Sequence, residues 1–192
     1  MRTFLTSLLV LSSLLSIGQS DFHCRLADSA ITLVDHNIKY DSKYSIIIYP
    51  NGDVDPYQGV CSDVIIRAYR KLGVDLQKEV HEDMKSNFME YPKKWGLRRT
   101  DRNIDHRRVP NLMRFFERKN ASLKITKDVA NFKPGDVISW DLDDGRPHIG
   151  IVVNRKTSCG ARYLMLHNVG EGQVLDDCLF RYKITGHYRY IK

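Results

Sequence analysis

Cys61 is the residue whose type and position best suit nucleophilic chemistry. It follows a loop that ends at Gly59, and the apolar residues after it recur with helical spacing, so a helix is predicted to begin at or just before Cys61. Unpaired backbone N–H groups and the dipole at such a helix start favour a thiolate over a thiol. The same N–H groups can receive the negative oxygen that develops when a carbonyl is attacked. The sequence therefore predicts a cysteine nucleophile beside an oxyanion site.

The cysteine content allows a structural interpretation of the same residue. An even number of cysteines in a secreted protein is typical of disulfides, and this chain has Cys24, Cys61, Cys159 and Cys178. No two of them have the CxxC spacing of a zinc site, and no metal or organic cofactor is expected. In the catalytic interpretation Cys61 is the only reactive thiol, whereas Cys159 and Cys178 are inert and suited to a bridge with each other.

A catalytic cysteine needs a base, and His148 is the best-placed histidine. It starts an apolar, strand-like run that ends at Val153, where a rigid element would hold its imidazole. A third, polar side chain must orient that ring, and His167 and Asn168 are the candidates. Because side chains alternate across a strand, only one of these neighbours can face His148. Asn168 has the parity of the more apolar face, so the alternation favours His167 and leaves Asn168 as the alternative.

Arg107 and Arg108 are candidates for substrate binding. They belong to the stretch 91–109, which has no clear period, and long ordered loops of this kind are often functional. Their fork-shaped donors suit carboxylates. Internal pairing is the alternative, because Asp101 and Asp105 lie nearby in the chain.

Two aromatic residues are candidates for the walls of a substrate cleft. Tyr57 lies in the loop before Cys61, and Trp140 ends the strand-like run that begins at Val137. Burial in the core is the alternative for an aromatic residue in a strand.

The elements that must position these residues fall into two groups. Apolar periodicity predicts an N-terminal helix of about three turns between Leu26 and Ile38, and further helices from Cys61, over 76–88 and from Pro110 onward. Strand-like runs separated by glycine and charged turns follow, at 137–140, 148–153, 162–168 and 180–190. Helices followed by an antiparallel sheet indicate the α+β class. No repeat or composition shift divides residues 21–192, so one domain is expected, with an inserted loop at about 91–109.

The first twenty residues have the pattern of a secretory signal peptide, with Arg2 as the only charge. The apolar stretch of about 14 residues is shorter than the roughly 20 that span a membrane. Cleavage before Asp21 would give a periplasmic or secreted protein without a transmembrane segment. The formal net charge of +7 favours an anionic partner. No run of five or six like charges indicates nucleic acid, and the oligomeric state stays open.

Four segments of the chain resemble the NlpC-type papain-like cysteine peptidases. In chain order they are Gly59-Val60-Cys61-Ser62-Asp63-Val64-Ile65, Pro134-Gly135-Asp136-Val137-Ile138-Ser139-Trp140, His148-Ile149-Gly150-Ile151-Val152 and Leu166-His167-Asn168. Over nearly the whole mature chain, the sequence is also similar to the bacterial YijF-like family of unknown function. The segments that carry this second likeness are Tyr49-Pro50-Asn51-Gly52-Asp53, Asp105-His106-Arg107-Arg108-Val109-Pro110-Asn111-Leu112 and Gly186-His187-Tyr188-Arg189-Tyr190.

The resemblance to the NlpC-type peptidases implies a papain-like fold with a helix-borne Cys61 nucleophile, His148 as base and a polar third residue at His167. It also implies cleavage of amide bonds in peptidoglycan stem peptides, so peptidoglycan or its fragments would be the partner. Those peptidases usually follow their cysteine with Ser-Gly, whereas this chain has Ser62-Asp63, and the loop at 91–109 has no counterpart in the minimal domain. An acyl or thioester hydrolase or transferase on the same fold, and a non-catalytic cell-wall binding module, are the alternatives.

Overall fold

Residues 21–192 are described by the computed structural model, in which helices pack against an antiparallel sheet. The expected signal peptide, residues 1–20, lies outside the described residues. The helices are α1 (residues 21–31), α2 (Cys61–Arg70), α3 (Leu76–Ser86) and α4 (Val109–Arg118). The strands are β1 (Lys39–Tyr40), β2 (Gln58–Gly59), β3 (Val137–Asp141), β4 (Pro147–Lys156), β5 (Tyr163–His167), β6 (Val174–Asp176) and β7 (Lys183–Tyr188).

The main sheet has the strand order β6-β5-β4-β3-β7, and all neighbouring strands in it are antiparallel. The expected α+β class is confirmed, because the helices precede this sheet in the chain. β1 and β2 form a separate parallel pair. The sequence pattern does not predict that pair or β6, since two or three residues are too few to show an alternation. Within residues 21–192, no helix has the length and apolar character needed to cross a membrane.

The larger core lies between the helices and one face of the sheet. α2 packs against β4 through Val64 and Ile65, which have no exposed surface. The sheet contributes Ile149, Ile151 and Leu166 to the same core. These sheet residues have the parity that the alternation assigns to the apolar face. Burial of each such aliphatic side chain contributes about 1.5–3 kcal/mol, so this face sets the register of the strands.

The opposite face of the sheet has a smaller core of its own. Trp140, Val152 and Met165 belong to it. His148 has the strand parity of Val152, and His167 has that of Met165. Both histidines therefore lie on the face opposite to the larger core, at the ends of their strands.

The expected disulfide between Cys159 and Cys178 is wrong, because both cysteines are unpaired, as are Cys24 and Cys61. Cys159 is exposed in the turn between β4 and β5, with Sγ 3.3 Å from Thr157 Oγ1. Cys178 is buried after β6 and belongs to the smaller core. One sulfur atom thus faces solvent and the other faces the interior, and no bridge joins them.

Candidate active site

Cys61 opens α2, as the sequence predicts, but its thiol is buried. Burial raises the pKa of Cys61 to about 12, although the backbone N–H groups of Ile149 and Ser62 favour the thiolate. The loss of hydration outweighs the favourable helix start, so the expectation of a resting thiolate is wrong. Cys61 is a protonated thiol at neutral pH and needs a base at the moment of attack.

Cys159 has the opposite environment. Its side chain is exposed, and hydrogen bonds from Thr157 and from the backbone N–H of Ala161 lower its pKa. Cys159 should therefore react with a soluble alkylating agent before the buried Cys61 does. That Cys61 is the only reactive thiol stays a prediction, and the exposure and local hydrogen bonds of Cys159 argue against it.

His148 and His167 form a hydrogen-bonded pair, in which Nε2 of His148 lies 2.9 Å from Nδ1 of His167. The rings meet edge to face at an interplanar angle of 78°. Gly150 leaves room for this contact, because a Cβ there would lie 3.1 Å from the Cβ of His167 and 3.0 Å from the carbonyl oxygen of Leu166. The expected contact is present, and it leaves Nδ1 of His148 as the nitrogen available to exchange a proton with a thiol.

Cys61 and His148 line the same cleft, which has a volume of about 630 Å³. They arrive there from different elements, Cys61 from the start of α2 and His148 from the start of β4. The thiol also accepts a hydrogen bond from the backbone N–H of Ile149, the residue that follows His148. The fold therefore brings the predicted nucleophile and the predicted base to one site.

The two histidines are neutral at neutral pH. Burial lowers the pKa of His148 to about 3, and the neighbouring His167 and Arg146 act in the same direction. Burial also lowers the pKa of His167, with Asp176 opposing the change. A neutral imidazole is the form that can accept a proton from a thiol.

Asp176 extends the histidine pair, with Oδ2 3.4 Å from Nε2 of His167. The two side chains are diagonal neighbours on adjacent strands, because the direct partner of His167 is Val174. Arg181 holds the carboxylate through contacts of 2.5 and 2.8 Å. Burial opposes ionisation, yet the pairing with Arg181 lowers the pKa of Asp176. Sequence reasoning missed Asp176 because the three residues of β6 show no pattern.

Trp140 is buried below His148 and does not line this cleft. Its ring stacks on the His148 imidazole with centroids 5.7 Å apart, and its Nε1 donates to the Leu179 carbonyl oxygen at 3.0 Å. The alternative of burial thus applies to Trp140, which supports the histidine from below. Tyr57 is 70% exposed and is also absent from the cleft lining. Neither aromatic residue therefore lines the cleft that contains Cys61, although Trp140 lines a neighbouring pocket.

Asn168 is buried and makes local hydrogen bonds. Its Oδ1 accepts the backbone N–H of Gly170 at 3.0 Å, and its Nδ2 donates to the carbonyl oxygen of Gly59 at 3.4 Å. These contacts hold the loop after β5 against the turn that precedes Cys61. Asn168 therefore supports the site from the other face of the strand.

Arg107 is paired internally, with an aspartate that the sequence did not indicate. Its Nε and Nη2 each lie 2.9 Å from the Asp63 carboxylate, which also accepts the backbone N–H of Val60 at 2.7 Å. Ser62 donates to the carbonyl oxygen of Arg107 at 2.7 Å. Ser62 and Asp63 therefore tie the loop at 91–109 to the helix that carries Cys61. Arg107 lines the cleft, but these contacts commit two of its donor nitrogens.

Arg108 is the cleft arginine with an uncommitted donor. Its guanidinium lies 5.3 Å from the centre of the Trp95 ring, and both residues line the cleft. Among the described residues, its buried Nη1 has no hydrogen-bond partner. Arg146 lines the same cleft and is paired with Asp144 at 2.6 Å. The cleft therefore offers positive charge to a bound molecule.

Tyr40 is a further cleft residue that sequence reasoning missed. Burial, followed by the nearby Cys61, raises the pKa of Tyr40 to about 12. Its hydroxyl group therefore stays protonated at neutral pH and can donate a hydrogen bond. The pairing of β1 with β2 brings Tyr40 next to Gly59, two residues before Cys61.

Comparisons with known proteins identify the family of this chain. A family model described as a domain of unknown function (DUF1287) matches residues 27–190. A protein of Escherichia coli (strain K12) named "Uncharacterized protein YijF" is 46% identical over 172 residues, which are 90% of this chain and 83% of that protein.

Two solved structures from Trichomonas vaginalis, of NlpC2 and NlpC1, are each 16% identical to this chain and cover 88% of it. Their TM-scores are 0.48 and 0.44, and this chain spans 46% and 44% of their lengths, less than half of each. The family model and the YijF relative both cover most of the chain, which confirms the expected kinship with YijF. This chain therefore belongs to the DUF1287 family.

Proposed function

We propose that this protein is a cysteine hydrolase that cleaves amide bonds in peptidoglycan stem peptides, in the periplasm or outside the cell. The observation that carries the proposal is the 2.9 Å contact between His148 and His167 at a cleft that also contains Cys61. A protonated thiol, a neutral imidazole and an orienting polar group are the parts of a cysteine nucleophile and its base. The papain-like resemblance of the sequence points to the same roles.

Asp176, His167 and His148 form a relay of adjacent side chains. Asp176 decides which ring nitrogen of each histidine carries the proton. The Asp176 carboxylate, 3.4 Å from Nε2 of His167, favours a proton on that nitrogen, so Nδ1 of His167 accepts the Nε2 proton of His148. The lone pair of His148 then lies on Nδ1, which takes the thiol proton as the sulfur attacks the carbonyl carbon. The positive charge that develops on His148 is stabilised through His167 by the Asp176 carboxylate.

The oxyanion has two donors within the cleft. The backbone N–H of Cys61 lies at the start of α2, where no helical carbonyl accepts it. The protonated hydroxyl group of Tyr40 is the second donor. Breakdown of the tetrahedral intermediate transfers the His148 proton to the leaving amine and leaves a thioester on Cys61. Water then attacks the thioester, giving the carboxylate product and the free thiol.

The charge of the cleft favours an anionic peptide substrate. Arg108 offers a donor that has no partner among the described residues, beside the exposed ring of Trp95. Arg108 can bind a carboxylate in two-point geometry, and peptidoglycan stem peptides carry several carboxylates. Arg107 has the lesser role of fixing the loop, since Asp63 holds it.

Digestion of purified peptidoglycan, followed by mass spectrometry of the released fragments, tests the proposal. The protein should release fragments with new amine and carboxylate ends, and Cys61→Ala should release none. Cys159→Ala is the matched control, because it removes a thiol outside the cleft and should leave the digest unchanged. Identical digests from the wild type and Cys61→Ala would overturn the proposal, and hydrolysis of thioesters alone would favour an acyl or thioester hydrolase.

A further inference from the structure

His167 and two side chains on the side of its ring away from His148 bring metal-binding atoms together. Nε2 of His167, Oδ2 of Asp176 and Sγ of Cys178 all lie within 4.8 Å of one another. We propose that these side chains form a zinc site and that zinc bound there disables His148 as a base. The first part stands on geometry alone, whereas the second part rests on the proposed function.

The two measured edges of this triangle match a tetrahedral zinc site. Zinc bonds of about 2.0–2.3 Å at tetrahedral angles place a nitrogen ligand about 3.4 Å from an oxygen ligand and about 3.6 Å from a sulfur ligand. In the protein Nε2 of His167 lies 3.4 Å from Asp176 Oδ2 and 3.6 Å from Cys178 Sγ. Imidazole, carboxylate and thiolate are all zinc ligands, and the fourth position is left for water. No sequence spacing reveals this set, because the ligands come from two neighbouring strands and from a residue two positions beyond the end of the second.

The surroundings of the three ligands also fit a metal ion. A histidine that binds a metal through one nitrogen usually donates its other N–H to a partner, and Nδ1 of His167 already faces His148. Arg181 holds Asp176, but each carboxylate oxygen has two acceptor positions, so Oδ2 can keep that contact and bind zinc. The Asp176 side chain is 26% exposed, which provides an entry path for the ion.

Zinc would reverse the proton order of the histidine pair. A metal on Nε2 of His167 requires the proton on Nδ1, which must then donate to Nε2 of His148. The proton of neutral His148 consequently lies on Nδ1, and no lone pair remains there to accept the Cys61 proton. The two imidazoles keep their two protons, and the proton of the Cys178 thiol is released to solvent when the thiolate binds. Zinc and the active relay are therefore alternative states of one side-chain cluster.

Titration of the reduced full chain with cobalt(II), a spectroscopic substitute for zinc, tests the site without any substrate. The wild type should show a thiolate-to-cobalt charge-transfer band that added zinc removes. Cys178→Ser should lose the band and bind zinc more than about 100-fold more weakly, since loss of even an outer partner costs about 10- to 100-fold. Asp176→Asn should weaken zinc at least about tenfold as an independent variant. Cys61→Ala and Cys159→Ser should keep the band.

Alkylation of Cys61 by iodoacetamide, followed site by site with peptide mapping, tests the second part. Zinc should slow the alkylation of Cys61 at least about tenfold in the wild type and should not slow it in Cys178→Ser, because only the wild type binds the ion. Alkylation of the exposed Cys159 reports any general effect of zinc on the reagent. Thermal unfolding of each variant shows that the fold is retained.

The outcomes separate the two proposals. Absence of the cobalt band in the wild type, or its persistence in Cys178→Ser, would overturn the zinc site. A band that depends on Cys178, with Cys61 alkylation unaffected by zinc, would overturn the control of His148. Intact peptidoglycan after treatment with the metal-free protein, together with the expected cobalt result, would overturn the hydrolase and support the zinc site.

Discussion

Two buried histidines on the same sheet, His167 and His187, each lie near an aspartate but differ in what surrounds that pair. Nε2 of His187 lies 2.7 Å from Asp136, which also accepts two contacts from Arg189 and the backbone N–H of Lys133. The other ring nitrogen of His187 is buried without a partner among the described residues. The chain of hydrogen bonds that includes Asp136 therefore ends at His187.

The chain of hydrogen bonds through His167 continues instead of ending. Asp176 lies on one side of the ring, and on the other side His148 connects it to the cleft that contains Cys61. Burial and an acidic neighbour are common to both clusters, so neither property alone marks a functional histidine. The distinguishing property is a continuous path from the carboxylate to an open cleft.

Removal of the nucleophile or the base should reduce the rate of hydrolysis more than any change in the His187 cluster. Cys61→Ala and His148→Ala should each reduce peptidoglycan hydrolysis at least about 10⁴-fold, or about 5.5 kcal/mol in the barrier, because neither group works without the other. The double variant should lose no more than either single variant. Rates of fragment release at matched folded concentration measure this, and more than a tenth of normal turnover in either variant would contradict the assigned role.

The third position should have a partial effect. His167→Ala leaves the nucleophile and base in place, so turnover should fall about 10²- to 10⁴-fold. Asn168→Ala should cost less, because Asn168 supports loops and does not contact His148 in the described structure. Single-turnover kinetics at matched thermal stability compare the two variants. A larger loss at Asn168 would transfer the orienting role to the asparagine.

A change in the cluster of Asp136, His187 and Arg189 should lower the stability of the protein and leave its turnover unchanged. Asp136→Asn breaks a buried charge network, so the free energy of unfolding should fall by about 3–5 kcal/mol. Hydrolysis per folded molecule should stay unchanged at a temperature where the variant is folded. Denaturant unfolding and fragment release measure the two quantities, and a selective loss of turnover would end the distinction between the clusters.

The pH dependence of the same variant has a defined sign. Burial opposes ionisation of Asp136, but His187 and Arg189 lower its pKa in the folded protein. The resulting stability is fully present above the unfolded pKa of about 3.9 and is lost as pH falls toward the folded value. Asp136→Asn should therefore weaken the dependence of the unfolding free energy on pH in this acidic range, which is its acid limb. An unchanged limb would show that other carboxylates control it.

The smallest expected effect is the difference between Cys61 and Cys159 in how their alkylation rates depend on pH. The pKa of Cys61 is raised to about 12, so in His148→Ala, where no base assists, its alkylation rate should rise about tenfold per pH unit between pH 6 and 9, without a plateau. Cys159 has a lowered pKa and should level off within a lower pH range. Peptide-mapped iodoacetamide rates measure both residues in one sample. A plateau for Cys61 near neutral pH would indicate a resting thiolate and contradict the proposed order of proton transfer.

Local patterns in the sequence predicted much of the scaffold and the core of the candidate site. Apolar residues with helical spacing after Gly59 placed Cys61 at a helix start, and a turn followed by an apolar run placed His148 at a strand start. Strand alternation alone separated His167 from Asn168, because successive side chains must point to opposite faces. These features depend on residues close together in the chain, so the sequence by itself determined them.

Long-range contacts decided the remaining features. Asp63 pairs with Arg107, 44 positions later in the chain. Asp63 stands where the NlpC-type peptidases usually have glycine, and Arg107 belongs to the inserted loop, so one contact joins these two distinctive features. Asp176 meets His167 only because β6 pairs with β5. The direction of the Cys61 pKa shift depends on how completely other elements remove water from the thiol. Burial and pairing between distant segments are properties of the packed chain, and for this physical reason only the tertiary structure decided them.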